Sequence, residues 1–154
     1  VHLACARLDK GEPVGLLRET DQPYFDAYLA ARAAWFDATW TAIEQPYYSR
    51  LGFAGTPDRL GQFQGHDVVV DIKTGQPAKW HGIQLAAYDL LVPRALRRQR
   101  WAIYLTAAGV PLIRHYDDPR DYARFLHALA TMKEDHDDDP TCAGGTGAPE
   151  SASH

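Results

Sequence analysis

Gly55-Thr56-Pro57-Asp58-Arg59-Leu60, followed by Val68-Val69-Val70-Asp71-Ile72-Lys73, decides how this chain folds. Phe53 to Phe63 and His66 to Thr74 are apolar-rich runs, and Gln64-Gly65 is the natural turn between them. A hairpin closed there sets Phe63 opposite His66 and, carried to its open end, Asp58 opposite Asp71. Side chains alternate along a strand, so Asp71 and Lys73 share one face while Val70 and Ile72 point into the other layer. Like charges directly opposite one another repel. Two such carboxylates in an apolar sheet call for a cation, and a hard divalent metal, Mg²⁺ or Mn²⁺, suits them. The spacing is equally that of a surface salt bridge from Asp58 or Asp71 to Lys73.

If a metal is held there, metal-assisted phosphodiester hydrolysis fits, with Lys73 as a compact positive charge beside the attacking water or the phosphate. Glu44 lies in a strand-like run, residues 42 to 49, that leads into the hairpin and would bring a third carboxylate near Asp58. Residues 79 to 92 read as an amphipathic helix in which Gln84 and Tyr88, four apart, share a face. That pair could touch a nucleic-acid backbone or an active-site water, or simply fix the helix on the sheet.

The ordered series Glu44, Asp58, Asp71, Lys73, Gln84 and Tyr88 resembles the PD-(D/E)XK nuclease superfamily, and its RecB-like exonuclease branch in particular. Gly55-Thr-Pro-Asp58 is similar to the family's Gly-x-x-Asp motif and Asp71-Ile-Lys73 to its (D/E)-x-K motif. Gln84-Leu-Ala-Ala-Tyr88 resembles the Gln-x-x-x-Tyr signature of RecB-like members. His2 matches a histidine that the family carries on an early helix, without the glycine that usually precedes it. The resemblance, over roughly residues 1 to 106, implies a restriction-endonuclease-like α/β core with a central mixed β-sheet flanked by helices. It implies that His2, Asp58, Asp71 and the backbone carbonyl of Ile72 bind metal, and that Lys73 positions the water or phosphate. It gives Glu44 a supporting place beside the metal, and has Gln84 and Tyr88 contact DNA or support Lys73. The expected activity is a Mg²⁺- or Mn²⁺-dependent DNase, an exonuclease of recombination, repair or phage DNA processing. A fold retained for binding without turnover is the alternative. Some RecB-like nucleases hold a four-cysteine iron–sulfur cluster, which Cys5 and Cys142 alone cannot supply.

The 154 residues fit one domain, and 45% hydrophobic content is enough for a core. No apolar run reaches the length of a membrane span. Two cysteines in different settings give no disulfide framework, so a reducing compartment is expected: the cytoplasm, or a host's if the chain is phage-encoded. A start at valine without a signal-like stretch suggests a trimmed end or a piece of something longer. The net charge of −4 is concentrated in residues 135–154, which hold five acids and no lysine or arginine, leaving +1 on residues 1–134. Arg94, Arg97, Arg98 and Arg100 crowd together after the Gln84/Tyr88 helix, and Lys79 and Trp80 stand at its start. These basic residues are candidate phosphate contacts or a solvated turn. A nearly neutral core implies modest grip on DNA, helped by an oligomer, additional domains or a partner protein.

In order, the pattern predicts a helix over 2–10 closed by Gly11. A second, over 23–40, carries Tyr24, Tyr28, Ala31, Trp35 and Phe36 as a core stripe. Three strands (42–49, 53–63 and 66–74) and the helix over 79–92 follow. Then come a strand pair, 100–106 and 110–115, and a last helix after Asp118-Pro119 burying Tyr122, Phe125, Leu126 and Leu129. Residues 1–134 are expected to form the nuclease domain, and residues 135–154 a disordered acidic tail.

Overall fold

The computed structural model describes residues 1–35, 37–92 and 97–137. Its elements are α1 (His2–Asp9), α2 (Gln22–Ala34), β1 (Thr39–Ile43), β2 (Tyr47–Tyr48), β3 (Ala54–Gly55), β4 (Arg59–Phe63), β5 (His66–Lys73), α3 (Trp80–Leu91), β6 (Gln99–Tyr104), β7 (Leu112–His115) and α4 (Arg120–Asp137). A five-stranded sheet runs β1-β4-β5-β6-β7, and β2 and β3 form a separate ribbon. β5 and β6 pair in parallel across the α3 crossover; the other neighbours are antiparallel, so the central sheet is mixed, as expected.

β5 is the middle strand and is buried on both faces, which explains its unbroken apolar run. Val68, Val70 and Ile72 pack with Tyr28, Ala31 and Trp35 under α1 and α2. Val69 packs with Leu60, Leu85, Ala102 and Tyr104 under α3. Asp71 and Lys73 have the parity of Val69 and therefore face α3. Trp35 stacks on Phe63 with centroids 4.3 Å apart, so much of the α2 aromatic stripe is core.

The expected hairpin register holds from Phe63↔His66 to Arg59↔Val70. Gln64 and Gly65 both take positive φ, 49° and 75°, the backbone of a tight two-residue hairpin turn.

Elsewhere the boundaries differ. The 53–63 run is not one strand: Pro57 has no N–H for the ladder, so β4 begins at Arg59, and β3 turns away to pair with β2. The 42–49 run is likewise divided, by Glu44 at φ 52° and by Pro46, and its first part starts earlier, at Thr39. α2 ends at Ala34 rather than residue 40, because Thr39 and Trp40 pair with Gln62 and Gly61 in β1. Phe36 lies outside the described residues. On α4, Tyr122 is buried and Phe125 meets Phe53 edge-on at 4.8 Å, but Leu126 is exposed. α4 continues to Asp137, and the rest of the acidic segment lies outside the described residues.

Candidate active site

The two acids flank the open end of the β4–β5 hairpin. The ladder stops one pair short of them, and Asp58 instead turns its carboxylate onto β5, where Oδ2 accepts the Ile72 N–H at 2.6 Å. Both are buried, Asp58 at 9% and Asp71 at 4% exposure. Burial pushes the Asp58 carboxyl up to about 7, and the Asp71 charge adds to the rise against the pull of the Ile72 hydrogen bond. Asp71 Oδ2 is buried, and its partner is the Lys73 ammonium, which forms an ion pair with it.

Lys73 joins the strand to α3. Its Nζ donates to Gln84 Oε1 at 2.8 Å, and Gln84 Nε2 donates to the Tyr88 hydroxyl at 3.0 Å. Gln84 and Tyr88, four residues apart, share one face of α3, and that face carries both hydrogen bonds. Tyr88 is half-buried, and desolvation, reinforced by the nearby Asp71 charge, raises its phenol to about 12. Gly55 brings the β2–β3 ribbon against the same helix. A Cβ at this glycine would lie 2.8 Å from Leu91 Cδ1 and 3.1 Å from Tyr88 Cε1, so the ribbon approaches this closely only without a side chain.

Glu44 follows β1 at its positive φ, and its N–H donates to the Asp58 carbonyl at 3.1 Å. Its carboxylate lies 3.8 Å from Arg59 Nη1. It therefore stands beside Asp58, as the antiparallel neighbour it was expected to be. His2 begins α1. Desolvation lowers its pKa, and the Glu44 and Asp71 charges oppose that shift, which marks the ring as lying within reach of the acids' field. Among the described residues no three His, Cys, Asp or Glu side chains converge as a preformed metal cluster, so His2 is not drawn into one with Asp58 and Asp71. The donor set nevertheless suits a hard cation. Asp58 and Asp71 are adjacent buried carboxylates whose mutual repulsion still raises Asp58 although Lys73 pairs with Asp71, so further positive charge is favoured there.

The arginine cluster divides. Arg100 is buried at 3% exposure and binds the Gly82 carbonyl at 3.0 Å, the Asp118 carbonyl at 2.8 Å and the Asp121 carboxylate at 3.3 Å. Arg98 binds Asp89 at 3.2 Å and the Val92 carbonyl at 3.0 Å. The expectation of phosphate contacts at Arg98 and Arg100 is corrected on this ground: their guanidinium groups hold α3 to the strand and loop that follow it and to the start of α4. Arg97 is exposed and lies over the Tyr122 ring at 4.0 Å. Lys79 is exposed at the start of α3, and Arg94 lies outside the described residues.

Two groups near the acids were not anticipated. Arg59, 1% exposed, binds Asp9 Oδ2 at 2.7 Å, the Tyr28 hydroxyl at 3.3 Å and the Asp58 carbonyl at 2.7 Å. His81 is buried beside the lysine: Ala78 N–H donates to its Nδ1 at 3.2 Å, and the Tyr104 hydroxyl lies 2.6 Å from the same nitrogen. An Nδ1 that accepts a backbone N–H carries no proton. Desolvation, with Lys73 second, lowers the imidazole pKa. Only the polar residue beside Asp58 and the histidine three before Gln84 could have flagged these positions, and neither spacing names a partner.

A family model described as the PD-(D/E)XK nuclease superfamily matches residues 4–141. No curated protein matches the chain. Among solved structures it is similar to one described as "Crystal structure of SSO0001", at 17% identity and a TM-score of 0.42, over 73% of this chain. The chain spans 58% of that protein's length. With the family model covering most of the sequence and a mixed five-stranded sheet flanked by helices, the chain belongs to the PD-(D/E)XK nuclease superfamily.

Proposed function

We propose that this protein is a divalent-metal-dependent deoxyribonuclease, an exonuclease of the RecB-like branch used in recombination, repair or phage DNA processing. One observation supports it most: Lys73 pairs with Asp71 and donates to Gln84, which donates to Tyr88, all beside Asp58. The RecB-like pair is thus joined to the acid–lysine motif by hydrogen bonds, where a fold kept only for binding has no need of such a chain.

In this reading Asp58, Asp71 and the Ile72 carbonyl hold Mg²⁺ or Mn²⁺, and His2 and Glu44 complete or support the shell. The bound ion supplies charge neutralisation at the phosphate and a more acidic water. Lys73, held between Asp71 and Gln84, orients the water or a phosphate oxygen as a fixed point charge. Tyr88 stays a neutral phenol across the working pH range and, with Gln84 donating to its oxygen, offers its own O–H to the DNA backbone.

The near-neutral charge of residues 1–134 favours an assembly in which a second copy, further domains or a partner adds grip on DNA. Among the described residues no helix is long and apolar enough to cross a membrane. Cys5 is a buried free thiol, which fits a reducing cytoplasm, the host's if the chain is phage-encoded.

The deciding experiment is incubation with end-labelled linear, circular and single-stranded DNA, with Mn²⁺ and with chelator. Metal-dependent loss of label from linear ends, with circles intact, is expected. Cut circles would overturn the exonuclease assignment, and no cleavage of any substrate would leave the binding-domain alternative standing.

A further inference from the structure

Trp80 is the first residue of α3, and it is 56% exposed, while Trp35 is buried and Trp40 and Trp101 are half-buried. An exposed indole leaves a large apolar surface in water, and tryptophan is usually well buried. This one is also firmly seated. Its ring meets His81 edge-on with centroids 4.1 Å apart, and His81 is fixed by the Ala78 N–H and the Tyr104 hydroxyl. The Lys73 ammonium lies 5.4 Å from the indole centroid. The aromatic surface therefore adjoins the cation assigned to the scissile phosphate. Lys79, next to it in sequence, is exposed as well.

We propose that Trp80 is a stacking platform for one base of a single-stranded DNA end, next to the phosphate that Lys73 faces. This rests on the nuclease reading and adds to it the state of the substrate. A base can lie flat on an indole only after leaving its own duplex stack, so the site takes a frayed or single-stranded terminus. Every base has a π-face, so the contact carries little sequence preference. The cation beside the ring suits it further, since the phosphate of the stacked nucleotide would sit within reach of both Lys73 and Lys79.

The test uses the full chain, Trp80→Ala and Trp80→Phe, with short labelled oligo(dT) and the same oligonucleotide carrying one abasic site at the end. Trp80→Ala is expected to weaken binding to intact oligo(dT) about 10-fold or more, and Trp80→Phe to restore most of it. Wild-type tryptophan emission is expected to fall on binding, and that quenching to be lost in Trp80→Phe, which retains only Trp35, Trp40 and Trp101. The abasic substitution should weaken binding by wild type and leave Trp80→Ala nearly unaffected. An equal abasic penalty in both proteins means that Trp80 only props Lys73 and His81, and it overturns the proposal. Wild type that cleaves DNA while Trp80→Ala binds it equally well overturns the stacking alone. Wild type that neither binds nor cleaves any DNA removes the nuclease reading and the stacking with it.

Discussion

Asp58→Asn is the most direct probe of the carboxylate pair. In wild type the Asp58 carboxyl holds its proton up to about 7 against an ordinary value of 3.8. The native state therefore binds more protons than the unfolded chain between those values, and stability falls as pH rises through that window. Its contribution is complete below the unfolded value and gone once pH passes the folded one. At about 1.4 kcal/mol per tenfold change in proton affinity, the rise corresponds to roughly 4 kcal/mol. Movement of the Lys73 ammonium toward the ionised pair would reduce this to about 2 kcal/mol. Asparagine cannot ionise, yet its Oδ1 can still accept the Ile72 N–H that Asp58 holds at 2.6 Å. Alanine cannot, and would leave that buried N–H unpaired at a cost of about 1–3 kcal/mol. Urea unfolding in chelator, from about pH 5 to about pH 8, should show Asp58→Asn gaining on wild type as pH rises, by about 1–3 kcal/mol over that range, since part of the effect already lies below about pH 5. Added Mn²⁺ should then stabilise wild type and leave the variant nearly unmoved. Parallel pH profiles for the two proteins would refute the claim that burial and Asp71 hold the proton on.

Four further outcomes are expected. Lys73→Ala should lower turnover by about 100-fold or more while calorimetric Mn²⁺ affinity survives, since an ammonium is not a ligand; loss of binding would reverse the roles of lysine and acids. Gly55→Ala should push the β2–β3 ribbon off Tyr88 and Leu91, costing about 1–3 kcal/mol of stability and raising KM, and a silent substitution would show the ribbon is not seated there. Arg100→Ala should destabilise by about 2–4 kcal/mol because it leaves the Gly82 and Asp118 carbonyls without their donor and the buried Asp121 with only Arg124. Arg97→Ala should instead keep the melting temperature and flatten the salt dependence of log K for duplex DNA by about one, and an unchanged slope would make Arg97 solvated surface.

The hairpin could be read from sequence because a two-residue turn and a period of two fix the register without outside help. Where Pro57 and Glu44 break the strands, the reading failed: alternation continues across a break, and only the missing N–H or a positive φ ends the ladder. The α2 stripe ran too far for a similar reason, since Trp35 and Trp40 share one core though only a strand can carry Trp40 to Gly61. Asp71, Lys73, Gln84 and Tyr88 come together as expected because each spacing lies within one element or across one crossover. The arginines misled because a charge run looks the same whether it meets water or Asp89, Asp118 and Asp121, which are distant in the chain. The Asp9–Arg59–Tyr28 contact spans three elements, and no local period encodes it.

That contact makes α1 a lever. The helix is latched at its last residue, Asp9, to the same guanidinium that holds the Asp58 carbonyl, while His2 rides at the other end. At 1.5 Å per residue the seven steps from Asp9 to His2 make an arm about 10 Å long, so a tilt of roughly 5° about the latch moves the imidazole by about 1 Å. Displacements of that size are enough to decide whether a donor is in register for chemistry. One side chain, Arg59, holds both the pivot of α1 and the backbone of Asp58, so it sets the alignment of His2 and that acid together.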